Sequence, residues 1–459
     1  MRIQDILSAQ RAFFTSGATL HPAERRQVLV RLRDAIRQQE PLLCEALKKD
    51  LNKCGFESYM AEIGMVLDEL GYMIRHLEQW AKPQRVVSPL AQFPSHTAVL
   101  KEPYGLTLVM APWNYPFLLS MDPVIGAVAA GNCVVLKPSA YAPATSAAMA
   151  KLLADVFPPE WVAVVEGGRT ENTELLEQRF DFIFFTGSVD VGKLVMEKAA
   201  RNLTPVILEL GGKSPVIVDE TANIPVTARR IAFGKLLNAG QTCVAPDYVL
   251  VQRSVRDQLV KELKKQFTAM LGADPLHAPN YVRIVNRKHF DRLNGLLQDA
   301  EILSGGRSRT DEVSGWIEPT LVAETLAGAS AAMQEEIFGP ILPIIPFDTL
   351  NQAIQFVQQR EKPLALYLFT RSIATRNVIT ARCSFGGGCI NDTIIHLASH
   401  RMGFGGVGHS GMGSYHGKRS FLAFSHEKSM VHKACWLDLP MRYMPYTKSH
   451  ESMVRWFLR

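Results

Sequence analysis

Apolar side chains recur at helical spacing through the first 80 residues. Between Pro22 and Leu51 they fall near every third or fourth position, among arginines, glutamines and glutamates. This is the pattern of a helix that buries one face. A second run of the same kind extends from about Glu57 to Trp80 and ends before Pro83. The N-terminal part of the chain is therefore predicted to form two long helices.

The sequence pattern then changes from helical to extended, and further along the chain predicted strands alternate with predicted helices. Val86 to Lys101 contains two prolines and no helical period, which predicts a β-hairpin that leaves the body of the protein. From Tyr104, short continuous apolar runs alternate with helical segments, the signature of a parallel sheet with helices on both faces. The predicted strands of this unit are 106–111, 132–136, 161–165 and 182–185, with a helix over 142–157.

The alternation resumes after Gly212. Strands are predicted at 216–218 and 248–251, and helices at 224–238 and 254–271. The fold class expected from both units is α/β, with a doubly wound parallel sheet in residues 104–208 followed by a second α/β domain.

Composition and charge exclude several classes of protein. The chain has 459 residues, with 47% hydrophobic and 20% charged, an ordinary globular balance. Fifty basic minus 44 acidic residues leave a net charge of +6, too weak a surplus to indicate a nucleic-acid partner. The most apolar stretch, Phe117 to Leu136, is interrupted by Asp122, Pro123 and Asn132, so a buried helix and strand are expected there.

The cysteines and the termini bear on location. Seven cysteines at irregular spacing, without a C-x-x-C pair, argue against a disulfide framework and for a reducing compartment. Met1 to Asp5 does not begin like a secretory signal, and Ser452 to Arg459 falls far short of the ~20 apolar residues of a membrane span. A cytoplasmic protein without a membrane anchor is expected. The six histidines between 396 and 432 lack the H-E-x-x-H pattern, and no metal site is predicted.

Three segments carry candidate chemistry. Cys243 lies in a turn of small residues, where backbone N–H groups can lower a thiol pKa; read alone, it also fits a buried apolar cysteine. Glu209 ends an apolar run and precedes two glycines, which suits either a functional carboxylate or a solvent-facing one. Phe185 to Lys193 has the spacing G-x-x-x-x-G of a strand–turn–helix junction that can face a phosphate. It matches neither the dinucleotide motif nor a P-loop.

Six motifs in fixed order give these segments a common meaning. The chain resembles the NAD(P)-dependent aldehyde dehydrogenase superfamily over about residues 5–435. The short N-terminus and the segment 438–443 look most like the class 3 branch, whose members are dimeric and act on fatty and aromatic aldehydes. The motifs that carry the resemblance are Met110–Pro116, Val135–Ser139, Phe185–Ser188, Leu208–Lys213, Gly240–Cys243 and Glu335–Pro340.

The resemblance implies that the chain is divided into three functional parts. Residues 1–84 and 104–209 would form the cofactor-binding domain, and 210–425 the catalytic domain. Residues 85–103 with 426–459 would form an oligomerisation hairpin and tail, giving a homodimer. Cys243 would be the nucleophile, Glu209 the general base, and Asn114 a donor to the oxyanion of the aldehyde substrate. The residues implied to bind NAD or NADP are Trp113, Lys137, Ser139, Gly187, Ser188, Val191, Gly192, Leu210, Glu336 and Phe338.

Two departures from the family pattern matter. Gly411 to Gly417 lacks the further glutamate that relatives outside class 3 often carry, so a proton leaving Glu209 would need another route. Ala140 stands where many NAD-specific relatives place a glutamate, which implies that NADP is accepted as well as NAD. Three alternatives stay open: an acylating enzyme that uses coenzyme A, a cysteine esterase or thioesterase without redox chemistry, and an inactive relative. The presence of Glu209 favours hydrolysis of the acyl group by water.

Overall fold

The computed structural model describes residues 2–458, and helices make up much of them. The α-helices are α1 (Ile3–Thr15), α2 (Pro22–Leu51), α3 (Gly55–Ser58), α4 (Gly64–Trp80), α5 (Leu118–Ala130), α6 (Pro143–Val156), α7 (Arg169–Leu176), α8 (Val189–Ala200), α9 (Ile224–Leu236), α10 (Arg256–Leu271), α11 (Arg287–Gly295), α12 (Ala331–Gln334), α13 (Leu350–Gln358), α14 (Ile373–Arg382), α15 (Lys418–Ala423) and α16 (Lys448–Phe457). The predicted helix from Pro22 to Leu51 is confirmed as α2. The second predicted run is α3 and α4 joined by a π-helical turn, Tyr59–Ile63.

The structure confirms the six strands predicted from apolar runs and adds further strands. The strands are β1 (Gln84–Val86), β2 (Ser95–Pro103), β3 (Leu106–Met110), β4 (Cys133–Lys137), β5 (Val162–Val164), β6 (Phe182–Gly187), β7 (Val206–Leu210), β8 (Pro215–Val218), β9 (Tyr248–Gln252), β10 (Ile302–Ser304), β11 (Ser308–Thr310), β12 (Gly315–Ile317), β13 (Thr320–Ala323), β14 (Ile341–Phe347), β15 (Ala365–Phe369), β16 (Gly387–Ile390), β17 (Gly411–Met412) and β18 (Ser425–Lys433). The six predicted strands are β3, β4, β5, β6, β8 and β9.

The first sheet has the order β17-β7-β6-β3-β4-β5. The five strands β3 to β7 are parallel and β17 pairs antiparallel with β7 at the edge. The chain moves outward from β3 through β4 to β5 and then returns to the other side of β3 with β6. In such a doubly wound sheet, ligands bind outside the carboxyl ends of the strands at this switch point. The expected fold class is confirmed.

The second sheet has the order β10-β13-β14-β9-β8-β15-β16, with parallel pairing from β13 to β16. Its strands β8 and β14 are almost entirely buried, as expected for strands covered on both faces. Residues 411–412, which fall within the range expected for the catalytic domain, form β17 and pair with β7 of the first sheet.

A third sheet, of β1, β2 and β18, stands apart from the other two. β18 pairs antiparallel with β2 from Ser425 opposite Pro103 to Lys433 opposite Ser95, so the predicted hairpin recruits a strand from the C-terminal region. Seven consecutive residues of β18 are exposed. Within residues 2–458, no helix combines the length and apolar character needed to cross a membrane.

Candidate active site

The loop that carries Cys243 has an unusual backbone. It follows a short turn, Leu237–Gly240, in which Asn238 and Ala239 both have φ of 52° and Gly240 has φ of 73°. Residues other than glycine rarely adopt this left-handed backbone conformation. At Gly240 a Cβ atom would also overlap the carbonyl group of Gly339. Strained backbone of this kind persists where surrounding contacts hold it, and it clusters at functional sites.

The side chain of Gln241 supplies several of the contacts that hold the loop. Its amide nitrogen donates to the carbonyls of Asn238 and Arg283, each at 3.1 Å, and its amide oxygen accepts from the N–H of Val285 at 3.0 Å. Gln241 is fully buried, so these hydrogen bonds satisfy its polar atoms and fix the loop against the rest of the second unit.

The segment after β3 is clamped onto this loop. Asn114 Nδ2 donates to the backbone carbonyl of Gln241 at 3.0 Å, and Asn238 Nδ2 donates back to the carbonyl of Asn114 at 2.8 Å. The hydroxyls of Tyr115 and Thr242 share a hydrogen bond of 2.8 Å. The structure thus brings the predicted oxyanion donor to the loop of the predicted nucleophile. Since an amide nitrogen carries two hydrogens, one N–H of Asn114 remains for a substrate oxygen.

A buried ion pair supports the Asn114 segment from behind. Lys53 Nζ lies 2.5 Å from Glu62 Oε1, with both side chains fully buried, and also donates to the carbonyl of Asn114 at 3.3 Å. The second oxygen of Glu62 accepts the N–H groups of Phe117 at 2.8 Å and Leu118 at 3.3 Å. The ion pair therefore holds the backbone at Asn114 and at Phe117 and Leu118, where α5 begins.

The sequence analysis did not single out Lys53 or Glu62. One signal was present for the glutamate. Glu62, Val66, Leu70, Met73 and Leu77 follow the three-to-four-residue spacing of a buried stripe, and all five are buried. A charged residue in such a stripe is expected to have a partner. For Lys53, which follows α2 in a connecting segment, no comparable pattern exists.

Glu209 lies on β7 with a carboxylate that is nearly inaccessible. Its side chain is 3% exposed, and neither carboxylate oxygen has a hydrogen-bond partner among the described residues. Burial raises the pKa of Glu209 well above its usual value. A carboxyl group with a strongly shifted pKa next to a nucleophile is a candidate proton carrier.

The Cys243 thiol is half-buried. Burial, together with the negative charges of Glu336 and Glu209, raises its pKa, while the N–H groups of Cys243 and Val244 act in the opposite direction. A thiol with a raised pKa needs a base to become the nucleophilic thiolate. Glu209 is a carboxyl group near enough to influence its ionisation.

An apolar tunnel of about 230 Å³ reaches Cys243. Its one titratable imidazole, His416, has a pKa lowered to about 4 by burial and is neutral at pH 7. The lining residues are Met60, Ala61, Met65, Tyr115, Leu118, Leu119, Phe233, Leu237, Thr242, Cys243, Val244, Ile394, Ile395, Leu397, Ala398, Phe404, Tyr415 and His416. The tunnel therefore suits an uncharged, apolar molecule.

A second cavity, of about 580 Å³, opens at the carboxyl ends of β3 and β4. Four of the residues expected to bind the cofactor line it: Trp113, Lys137, Ser139 and Val191. Lys137 is 2% exposed and donates to the carbonyls of Pro138 and Gly167, each at 2.8 Å. Burial lowers its pKa. An ammonium group has three donors, so one remains for a ligand hydroxyl or phosphate.

Glu336 and Phe338 lie in the segment between α12 and β14 and do not line this cavity. The Glu336 carboxylate packs so closely over Gly211 that a Cβ there would overlap it. Burial raises its pKa to about 8. The ring of Phe338 meets the edge of Trp113 at a centroid distance of 5.4 Å. A buried carboxyl next to an aromatic pair fits a ligand that offers ribose hydroxyls and a flat ring.

The remaining predicted cofactor residues lie at the junction of β6 and α8, in the first turn of α8 and at the end of β7. Gly187 ends β6, Ser188 precedes α8, and a Cβ on Gly192 would lie 2.6 Å from Leu210 Cδ2. Gly192 and Leu210 thus allow the helix to approach the strand closely. Among the described residues these four do not line the 580 Å³ cavity, and their contact with a cofactor stays a prediction.

One wall of the cavity is formed by residues that were not predicted from the sequence. Arg169, Asn172 and Lys198 line it from α7 and α8, together with Tyr141. Both cations come from helices that follow predicted strands, but the motif comparison gave no reason to select them. Together with Lys137 they place three cationic groups in the cavity wall. Lys198 is ion-paired with Glu177, which lies outside the lining, and the lining itself contains no acidic residue. Such a wall suits a ligand with several phosphates.

The doubly wound sheet, the cysteine loop and the two cavities are the parts that a cofactor-dependent enzyme with the predicted cysteine nucleophile would need. Residues 2–430 match the aldehyde dehydrogenase family model. The chain therefore belongs to the aldehyde dehydrogenase family, as its motifs indicated, and its relatives include class 3 members. Members of this family oxidise aldehydes with NAD or NADP.

Individual relatives extend over nearly the whole chain. The chain is 48% identical to 4,4'-diaponeurosporen-aldehyde dehydrogenase of Staphylococcus aureus, over 95% of each chain. It is 43% identical to the "dimeric NADP-preferring" aldehyde dehydrogenase of Canis lupus familiaris, over 97% of this chain and 98% of the relative. The solved structure of the substrate-bound state of Staphylococcus aureus AldH superposes with a TM-score of 0.97 at 45% identity, covering both chains fully.

Proposed function

We propose that Cys243, Glu209 and Asn114 carry out the oxidation of an apolar aldehyde to its carboxylic acid. The observation that supports this most directly is the clamp between the Asn114 segment and the Cys243 loop, since Asn114 Nδ2 lies 3.0 Å from the Gln241 carbonyl. The clamp fixes a donor beside the nucleophile at the apolar tunnel. The unpartnered carboxyl of Glu209 supplies a proton acceptor in the same region.

In the first step the Cys243 thiol gives up its proton to a base, and Sγ forms a bond to the aldehyde carbon as the carbonyl π bond breaks. The carbonyl oxygen becomes an oxyanion, which accepts from the free N–H of Asn114 and from the backbone N–H of Cys243. Donors placed in this way are each typically worth ~10²–10³ in rate. NAD or NADP, when bound, supplies the hydride acceptor that makes the step an oxidation. The acyl group is then held on Cys243 as a thioester.

Glu209 acts in the second step. Its carboxylate takes a proton from a water molecule, the water oxygen attacks the thioester carbon, and the bond to Cys243 Sγ breaks. The products are the carboxylic acid and the Cys243 thiolate, with the proton from water held on Glu209. Use of water in place of coenzyme A follows from the placement of a buried carboxylate at the nucleophile, which a thiol acceptor does not need.

The residues that line the 580 Å³ cavity fit both NAD and NADP. Lys137, Arg169 and Lys198 provide cations, and Ala140 leaves no acid to repel a 2′-phosphate. We further infer a cytoplasmic homodimer. The seven cysteines are all free, which suits a reducing compartment. The dimer would form through the sheet of β1, β2 and β18, because exposed strand edges are rarely left unprotected.

An aldehyde panel tests the proposed chemistry. Reduction of NAD or NADP is followed by absorbance with straight-chain, aromatic and carboxylate-bearing semialdehydes, with and without coenzyme A. The expected result is turnover without coenzyme A and the highest kcat/KM for apolar aldehydes. Dependence on coenzyme A, or ester hydrolysis without any aldehyde oxidation, would refute the proposal.

A further inference from the structure

A third cavity, of about 810 Å³, has a strongly cationic wall. Arg75 reaches it from α4, Arg401 from the preceding loop, and Lys418 and Arg419 from the start of α15. Among the described residues, none of these four side chains has an acidic partner within ion-pair distance. Surface arginines elsewhere in the chain commonly have one, as Arg253 does with Asp348 and Arg307 with Glu318. Four unpaired cations in one concavity favour a ligand with negative charge.

The acidic groups nearest this cavity do not cancel its charge. Asp68 Oδ2 lies 2.9 Å from His400 Nδ1 and is a single carboxylate against the four cations. Glu69 and Asp122 lie behind the buried ring of His416 and line an adjacent cavity of about 320 Å³. Burial raises the pKa of Glu69 to about 7 and that of Asp122 well above its usual value. Both groups therefore carry reduced negative charge at neutral pH.

The cationic cavity and the apolar tunnel both border the 320 Å³ cavity, with which each shares lining residues. His400 and His416 line both the cationic cavity and the 320 Å³ cavity. Met60, Met65 and Leu397 line both the 320 Å³ cavity and the tunnel. A long molecule with its reactive end at Cys243 can thus have its chain among apolar side chains and its far end near Arg75 and Arg419.

We propose that the cationic cavity binds the anionic end group, a phosphate or carboxylate, of an amphipathic aldehyde whose apolar chain occupies the tunnel. This inference rests on the proposed function, since it names the far end of the same substrate. Arg75 and Arg419 do not touch the reacting atoms. They act on binding of the substrate, and their contribution weakens as salt screens it.

The test compares pairs of straight-chain aldehydes of equal length, one ending in a phosphate monoester and the other in a hydroxyl, at several lengths. At low ionic strength, kcat/KM for the phosphate member is expected to exceed that of its partner by ~10-fold at the best length, about 1.4 kcal/mol. In the double variant Arg75→Gln/Arg419→Gln the ratio should fall to near one, with activity on the hydroxyl member unchanged. Arg371→Gln, an exposed arginine beyond β15, is the matched control and should keep the wild-type ratio.

Each other outcome is decisive. Equal kcat/KM within the pairs, or a ratio that the double variant retains, overturns the proposal. If no aldehyde is oxidised, the proposed function fails. A binding measurement then tests separately whether the cationic cavity holds an anionic end group. Calorimetry with the corresponding alkyl phosphates, which lack the aldehyde, should then show tighter binding to the wild type than to the double variant. Equal binding to both proteins, or equal binding of inorganic phosphate without a chain, overturns the substrate site.

Discussion

Lys53 and Glu62 form a wholly buried ion pair that contacts the Asn114 segment at three backbone positions. Lys53 Nζ donates to the carbonyl of Asn114, and Glu62 accepts from Phe117 and Leu118. The pair also places the ammonium 4.4 Å from the centre of the Tyr115 ring. The position of Asn114, the proposed oxyanion donor, therefore depends on two residues of the N-terminal helical region, more than fifty positions earlier in the chain.

Glu62→Gln should destabilise the fold and slow catalysis together. The substitution leaves the Lys53 charge buried without its counter-ion, and breaking a buried pair in this way typically costs ~3–5 kcal/mol. Urea unfolding measures the free energy of unfolding, and kcat is measured on the folded fraction. The double variant Lys53→Met/Glu62→Gln should recover part of the stability, because no unpaired charge remains, but not the full kcat. A Glu62→Gln protein with wild-type stability and kcat would show that the pair does not position Asn114.

The cofactor preference should respond to residue 140. Ala140 lines the cofactor cavity, whose walls contain three cations and no acid. Ala140→Glu introduces a carboxylate that can accept from a ribose hydroxyl and repels a 2′-phosphate. The ratio of kcat/KM for NAD to that for NADP should therefore rise in the variant. Ala140→Gln, which is similar in size but uncharged, is the control. A wild-type preference for NAD above ~10³-fold, roughly 4 kcal/mol, would contradict acceptance of NADP.

Glu69 should make stability depend on pH. Burial raises its pKa from 4.5 to about 7, and its Oε1 accepts the N–H of Gly417 at 2.7 Å. The folded state therefore binds the proton more tightly than the unfolded state. Its contribution to stability is fully present below pH 4.5 and is lost as the pH rises through about 7.

Thermal melting of wild type and Glu69→Gln from pH 5 to 8 measures this contribution. The wild type should lose Tm relative to the variant as the pH rises, since glutamine keeps an acceptor for Gly417 and cannot ionise. Asp122 also has a raised pKa and is coupled to Glu69 by charge, so Asp122→Asn should reduce the same dependence. Parallel Tm curves for wild type and Glu69→Gln would contradict the assignment.

The oligomeric state can be measured directly. The segment after β18 exposes Trp436, Tyr443, Met444 and Tyr446, and no residue of α16 is buried. Apolar groups in this number favour burial against a second copy. Light scattering at micromolar concentration should give twice the chain mass of 51.0 kDa. A mass equal to one chain would rule out the homodimer.

The hydrophobic periodicity predicted many of the helices and strands, but it predicted little of how they pack together. The continuous apolar runs that became β3, β4 and β8 have no polar face, so their assignment to a buried parallel sheet needed no tertiary information. The strand β17 was not predicted, because a pair of residues within a glycine-rich segment carries no period; its pairing with β7 depends on the whole fold.

The same contrast holds within the site. Cys243, Glu209 and Asn114 could be selected because each lies in a short motif with a characteristic neighbourhood. Lys53, Arg169 and Lys198 could not, because their roles depend on which helices approach the loop or cavity in three dimensions. Long-range contacts such as the one between Lys53 and Asn114 leave no local pattern in the sequence.

The central claim is that an acyl group is carried on Cys243 and released by Glu209. In Glu209→Gln, which keeps the shape of the side chain and removes the base, one turnover should give a burst of reduced cofactor followed by arrest. Mass spectrometry of this variant after addition of aldehyde and cofactor should show one acyl group on Cys243 and none on the other six cysteines. Cys243→Ser should show neither burst nor adduct. An unmodified Cys243 with unchanged steady turnover, or an acyl group on another cysteine, would contradict the account.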